Sequence, residues 1–218
     1  MFRSALVTGG ASGIGAATVA LLRLEGTEVQ ALDLSTGFDV GDASAWEEVG
    51  AVDFAFLNAG VSTGSNDIAE LTDTEYRRAL GANVDGVVFG VRRMAQVMEP
   101  GSAIVATASL AGLLAMPLDP IYALTKHAVV GFVRSAAPQL AERGIRINAL
   151  CPGFADTPIV DDELRAWVAE QRIGLIPAEQ VAEAALAAAR SEETGQAWIV
   201  QPGREPMVYE FRGVPGPR

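Results

Sequence analysis

Lys126 is the only lysine in a chain of 218 residues, and Tyr122 stands four residues before it in the stretch PIYALTKHAV. On a helix that spacing puts both side chains on one face, a turn apart. A tyrosine hydroxyl, with an ordinary pKa of about 10, is a poor base at neutral pH, and a nearby cation favours its ionised form. The pair can therefore be read as a device for taking a proton from an alcohol. The plainer reading is an exposed pair on an amphipathic helix, and for an isolated pair it would be the better one. The only histidine, His127, is one residue further on and points to another side of such a helix. Cys151 is the only cysteine, which rules out a disulfide within the chain and reads as a small buried hydrophobe rather than a nucleophile.

These residues need elements to position them, and the sequence offers a regular alternation. Apolar runs at 4–10, 27–35, 52–60, 101–109, 144–153 and 196–203 read as strands. Helical patterns cover 13–26, 72–98, 120–143 and 178–190, and Thr72 with Glu75 forms a capping box. Continuous apolar strands alternating with helices predict a parallel sheet covered on both faces. The expected fold class is α/β, a single doubly wound Rossmann-like domain. Its cofactor half would be roughly 1–100, its catalytic and substrate half 101–203, and its tail 204–218.

The net charge of −11 comes from scattered acids with no basic stripe, which argues against nucleic acid and anionic membranes as partners. No signal peptide or membrane-length apolar run is visible, so a soluble cytoplasmic protein is expected. No metal is expected.

The first strand runs into TGGASGIG, with Gly9, Gly13 and Gly15 at a helix start. Glycines there let backbone amides approach a pyrophosphate, and the bland alternative is a tight strand–helix turn. Asp33 lies eighteen residues after Gly15, at the end of the second strand, where an acid can accept ribose hydroxyls. Its charge would repel a 2′-phosphate, and neither Ser12 nor Leu34 supplies a cation to offset it. NAD is expected over NADP.

With these motifs in order, the chain resembles the short-chain dehydrogenase/reductase family over nearly its whole length. The resemblance rests on Thr8, Gly9, Gly13 and Gly15, on the triplet Asn58, Ala59 and Gly60, and on Asn83. It continues with Ser109 thirteen residues before Tyr122, with Tyr122 and Lys126, and with Pro152, Gly153 and Thr157. The resemblance implies an NAD-dependent oxidoreductase moving a hydride between nicotinamide and a secondary alcohol or ketone. Tyr122 would be the acid/base. Lys126 would lower its pKa and bind the ribose, Ser109 would orient the substrate oxygen, and Asn83 would hold a relay water. The cofactor would be held by Gly9, Ser12, Gly13, Ile14, Gly15, Asp33, Leu34, Asp39, Val40, Asn58, Ala59, Gly60, Tyr122, Lys126, Pro152, Gly153, Ala155 and Thr157.

Only five residues separate Asp33 from Asp39, where the family usually has a helix and most of a strand. A trimmed adenine side is expected, with one helix reduced to a loop. Leu113, Leu114, Met116 and Pro117, then Phe154, Ile159, Val160 and Trp167, would wall an apolar substrate pocket, or pack on each other or on a partner subunit. Among them Leu113, Met116, Phe154 and Ile159 are the leading substrate contacts. Small residues on the helices of 72–98 and 120–143 imply, by the resemblance, a homodimer or homotetramer. Tyr209 and Phe211 would dock on the body or on a neighbour. The rival readings are a cofactor-binding sensor or scaffold with little turnover, an NADP-dependent carbonyl reductase, and an epimerase or dehydratase.

Overall fold

The structure, a computed structural model, describes residues 1–64 and 67–213. Residues 214–218, the end of the expected tail, lie outside the described residues. Seven strands form one sheet in the order β2-β1-β3-β4-β5-β6-β7. They are β1 (Ser4–Thr8), β2 (Glu28–Leu32), β3 (Phe54–Leu57), β4 (Ala103–Thr107), β5 (Arg146–Pro152), β6 (Ala197–Val200) and β7 (Met207–Val208). The first six pair in parallel, and β7 pairs antiparallel with β6. That last strand was not anticipated. It is two residues long, too short to carry an alternation signal.

Among the described residues there are six α-helices: α1 (Gly13–Leu24), α2 (Asp73–Leu80), α3 (Gly86–Val97), α4 (Pro120–Ala141), α5 (Asp162–Glu170) and α6 (Ala178–Arg190). Every residue of β3 and β4 is buried, which is why both read as unbroken apolar runs. One face of the sheet packs against α3 and α4 through Val87, Val91, Met94, Val129, Val133 and Leu140. The other packs against α1 and α6 through Val19, Leu22, Val181, Ala185 and Leu186.

Between β2 and β3 lie only two 3₁₀ turns, Leu34–Thr36 and Ala43–Trp46. Trp46 anchors this stretch. Its indole donates to the Val40 carbonyl at 3.0 Å, and its ring meets Phe38 edge to face. The expected single helix over 72–98 is two helices joined by a π-helical turn, Gly81–Asp85. A π turn carries one extra residue against its neighbours and often marks a functional site. The tail returns to its own body: Tyr209 donates its N–H to the Ala197 carbonyl at 2.8 Å, and the Arg134 guanidinium lies 3.7 Å from the Phe211 ring centroid.

Candidate active site

The carboxyl ends of the parallel strands carry the site. After β1 the chain turns at Gly9 (φ 65°) and Gly13 (φ 50°) into α1. Both glycines hold left-handed backbone that a Cβ would strain. A Cβ at position 15 would sit 2.0 Å from the Gly9 carbonyl oxygen, so the start of α1 presses directly on the turn. At the end of β2, Asp33 accepts from the Ala11 N–H at 3.1 Å and from the N–H and hydroxyl of Ser35. The Ser35 hydroxyl, together with the backbone donors, holds the Asp33 carboxyl below its usual range despite partial burial. The acid is thus fixed at the edge of the glycine turn.

Three strand ends are laced together beneath the cavity. The Thr8 hydroxyl accepts from the N–H groups of Asn58 and Ala59. The Asn58 side chain donates to the Thr8 carbonyl and accepts from the Thr107 hydroxyl. The Thr107 carbonyl in turn accepts from the Lys126 ammonium at 2.8 Å. Gly60 leaves the space beside that ammonium: a Cβ there would lie 3.3 Å from Lys126 Nζ and 3.0 Å from the Asn83 side-chain oxygen. Thr107 is a residue that sequence reasoning missed.

Asn83 sits in the π turn with no exposed surface. Its side chain is fully engaged. The oxygen accepts from Val61 N–H, and the amide donates to the Val61 carbonyl and the Thr125 hydroxyl. Asn83 lies behind the cavity wall rather than on it, and Gly15 likewise lies beneath the turn; neither lines the cavity.

Tyr122 and Lys126 share one face of α4, as their spacing predicts. Lys126 is 2% exposed, and its Nζ lies 5.4 Å from the Tyr122 ring centroid. Ser109, at the start of a 3₁₀ turn after β4, donates its hydroxyl to the Pro152 carbonyl at 3.4 Å and lies near enough to the Tyr122 hydroxyl to favour its ionised form. The electrostatics depart from expectation. Burial pushes the Tyr122 phenol up to about 12, Ser109 opposes this, and the charges of Asp119 and Cys151 add to it. Burial also pushes the Lys126 ammonium down to about 8. Burial is the largest cause of both shifts, so the expected lowering of the phenol by Lys126 has to act against desolvation. Cys151 is buried, and burial raises its thiol to about 12, the state of an inert thiol.

A cavity of about 910 Å³ runs along these strand ends. Gly9, Ser12, Gly13, Ile14, Asp33, Leu34, Asp39 and Val40 line one end, and Asn58, Ala59, Gly60, Ser109, Tyr122 and Lys126 line its middle. Pro152, Gly153, Ala155 and Thr157 cover it, with Thr157 side-chain carbons only 3.0 Å from where a Gly13 Cβ would stand. These residues fit a dinucleotide: a glycine turn at a helix start, an acid at the end of the next strand, and room beside a buried cation. Met116, Phe154, Ile159, Val160 and Trp167 line the remaining end. Leu113 does not. It packs on the core side of the sheet, and Leu114 is exposed. Leu110, in the 3₁₀ turn Leu110–Gly112, and Leu118, just before α4, line the wall in their place. Arg78 and Asp119 also line the cavity, and neither was singled out from sequence. Asp119 was visible only as an Asp-Pro pair before a helical pattern, a helix-start signal.

A family model described as enoyl-(acyl carrier protein) reductase matches residues 42–203. Levodione reductase of Leifsonia aquatica is 31% identical over 84% of this chain and 83% of its own length. Cis-4-hydroxycyclohexanecarboxylate dehydrogenase of Sinomonas cyclohexanicum is 34% identical over 84% and 87%. The crystal structure of levodione reductase superposes with a TM-score of 0.83 at 27% identity, covering 92% of this chain and 96% of that one. A small-chain dehydrogenase in complex with NADPH superposes at 0.79 with 25% identity, covering 92% and 97%.

Proposed function

The chain belongs to the short-chain dehydrogenase/reductase family of oxidoreductases, and from that premise we propose that it is an NAD-dependent dehydrogenase of apolar cyclic secondary alcohols. The observation that carries the reading is the lining of one continuous cavity. It joins the glycine turn and Asp33 to Ser109, Tyr122 and Lys126, and then to the apolar end at Met116, Phe154, Ile159 and Trp167. Among its described lining residues the only cations are Lys126 and Arg78, and neither belongs to the stretch around Asp33. A 2′-phosphate there would meet a carboxylate with no compensating charge, which favours NAD. The two named relatives act on ring compounds by their names, and the apolar end of the cavity suits a ring.

In this reading the bound nicotinamide supplies the hydride acceptor and, when oxidised, a positive charge. Tyr122 takes the hydroxyl proton, and the cavity's positive charge must offset the burial that holds its phenol near 12. Ser109 orients the substrate oxygen. Lys126, anchored on the Thr107 carbonyl, faces the ribose and passes the proton on. Asn83 fixes the wall behind it, and the π turn leaves backbone carbonyls out of the regular ladder, where one can hold a relay water. The stretch between Asp33 and Asp39 is read as a trimmed adenine side, with Asp39 and Val40 flanking the base. The exposed small residues of α4, Ala128 and Gly131, are read as part of a homodimer face. No helix among the described residues is long and apolar enough to cross a membrane, which is compatible with a cytoplasmic location.

The test is a panel of cyclic and open-chain secondary alcohols with NAD or NADP, followed by absorbance of the reduced cofactor. Cyclic alcohols with NAD are expected to give the highest kcat/KM. Asp33→Ala is expected to narrow the NAD-over-NADP preference by roughly ten- to a hundredfold, the scale of one lost charge-assisted contact. An unchanged ratio would place Asp33 away from the ribose.

A further inference from the structure

Asp119 is 8% exposed and caps α4, accepting the N–H of Tyr122 at 2.8 Å. The same carboxylate reaches across the cavity wall to a loop 56 and 57 residues earlier in the chain. It accepts from Ser62 hydroxyl at 2.9 Å, Thr63 N–H at 2.8 Å and Thr63 hydroxyl at 2.7 Å. Four donors fill the acceptor capacity of a carboxylate, so none is left to take a proton from a substrate. Arg78 holds the loop from α2, donating to the carbonyls of Ser62 and Thr63. The next residue along, Val61, is bonded at both N–H and C=O to the Asn83 side chain. Asn83 meets the Thr125 hydroxyl, which donates to the Tyr122 carbonyl at 2.7 Å. The circuit begins and ends on Tyr122.

We propose that Asp119 is a positioning residue for Tyr122: it ties the Ser62–Thr63 wall of the cavity to the first turn of α4, and its buried negative charge sets the pH range in which the Tyr122 hydroxyl works. A plain helix cap needs only one of the four hydrogen bonds, and serine or asparagine would serve as well. A carboxylate carries a whole charge into a buried wall at the first turn of the helix that bears the reacting hydroxyl, where it opposes phenolate formation. The groups facing Tyr122 are Lys126 and Asp119 on its own helix, Cys151 on β5 and Ser109 after β4; Arg78, Asp161 and Glu163 line the cavity further off. Asp119 is thus a carboxylate set against the positive charge of Lys126, and burial works in the same direction as Asp119. Burial first and Asp119 after it favour the protonated phenol, and a bound oxidised cofactor would supply charge of the opposite sense.

The proposal rests on the dehydrogenase reading for its kinetic arm, so one arm of the test needs no turnover. Asp119→Asn removes the charge and keeps the cap on Tyr122 N–H and the bond from the Thr63 hydroxyl, while its NH2 gives up the bond from Thr63 N–H. The acid limb of its kcat/KM profile for alcohol oxidation is expected to move down by about one pH unit. A Ser62→Ala, Thr63→Val double variant keeps the charge and loosens the tether; KM is expected to rise severalfold with the limb unmoved. In the second arm, Tyr76→Phe and Tyr209→Phe leave Tyr122 as the only tyrosine, since the chain has three. Replacing it with a ring-fluorinated tyrosine brings its ionisation into a range the fold tolerates. Asp119→Asn is expected to lower that phenol's titration midpoint by the same amount, with or without any active substrate. An unshifted midpoint, or a double variant whose limb moves as far as that of Asp119→Asn, overturns the proposal.

Discussion

Tyr122→Phe is expected to reduce kcat by roughly a thousandfold or more while leaving cofactor affinity within about twofold of wild type. The reasoning separates ring from hydroxyl. The ring packs in the first turn of α4 and lies 5.4 Å from the Lys126 ammonium, and phenylalanine keeps both contacts. Lys126 stays anchored on the Thr107 carbonyl. The glycine turn and Asp33 are not touched. What disappears is the one group placed to exchange a proton with a substrate oxygen held by Ser109. Loss of a positioned acid/base costs about a hundred- to ten-thousandfold, and neither of the two acidic groups that act on Tyr122 can replace it. Asp119 has its four acceptors filled, and Cys151 is a buried thiol. Stability should change little, since the phenol is un-ionised at neutral pH and phenylalanine keeps the ring's packing. Steady-state kinetics with the preferred alcohol, together with a fluorescence titration of reduced cofactor, check both halves. Full turnover in this variant would remove Tyr122 from the chemistry.

Much of the architecture was legible because its signals are local. The strands β3 and β4 are buried on both faces, so their apolar runs could be read without knowing their neighbours. The pairing of Tyr122 with Lys126 follows from helical periodicity alone, and the capping box at Thr72 and Glu75 formed as expected. What escaped depends on contacts distant in sequence. The π turn at Gly81–Asp85 interrupts a pattern that reads as one helix. It is held there by Val61 binding Asn83 from one side and by Val40 pressing on Gly86 from the other; a Cβ on Gly86 would stand 2.7 Å from Val40. The short helix α5 has too few turns for a firm period. Leu113 is the C-cap of the 3₁₀ turn that begins at Leu110, and its departure from helical backbone there decides that Leu110 and not Leu113 faces the cavity. Asp119 was legible as a helix start, but its second role requires the loop at 62–63 to arrive beside it. Sequence spacing therefore brought out the candidate groups Tyr122, Lys126 and Ser109, and tertiary contacts decide how they are held.

Lys126→Met is expected to make the protein more stable and at the same time nearly inactive. The ammonium is 2% exposed and has one acceptor, the Thr107 carbonyl. Burial lowers its pKa from 10.5 to about 8, which at about 1.4 kcal/mol per pH unit corresponds to roughly 3 kcal/mol against the charged form. Methionine has a similar length and removes that cost, but it leaves the Thr107 carbonyl without its donor, a loss of about 1–2 kcal/mol. The balance is a gain of about 1–2 kcal/mol at pH 7, or roughly 2–8 °C in Tm for a chain of this size. The pH dependence identifies the cause. The folded-state pKa lies below the unfolded one, so between about pH 8 and 10.5 the unfolded chain binds the extra proton and wild-type stability rises with pH. The advantage of the methionine variant should therefore be full below pH 8 and shrink as pH climbs toward 10.5. Activity should fall by at least roughly a hundredfold, because methionine neither binds a ribose hydroxyl nor passes on a proton. Thermal unfolding of both proteins from pH 7 to 10, beside kcat for each, decides the matter. A less stable variant, or a stability difference that does not change with pH, would mean that the lone lysine is held for packing and not retained against its own cost. Arginine cannot take the place either: it cannot shed its charge, and Gly60 and Gly112 close in on this part of α4, with a Gly112 Cβ standing 2.6 Å from the Lys126 carbonyl oxygen. A chain that uses arginine at its other fifteen strongly basic positions thus keeps lysine at the one buried site where the proposed mechanism asks a small cation to lose a proton.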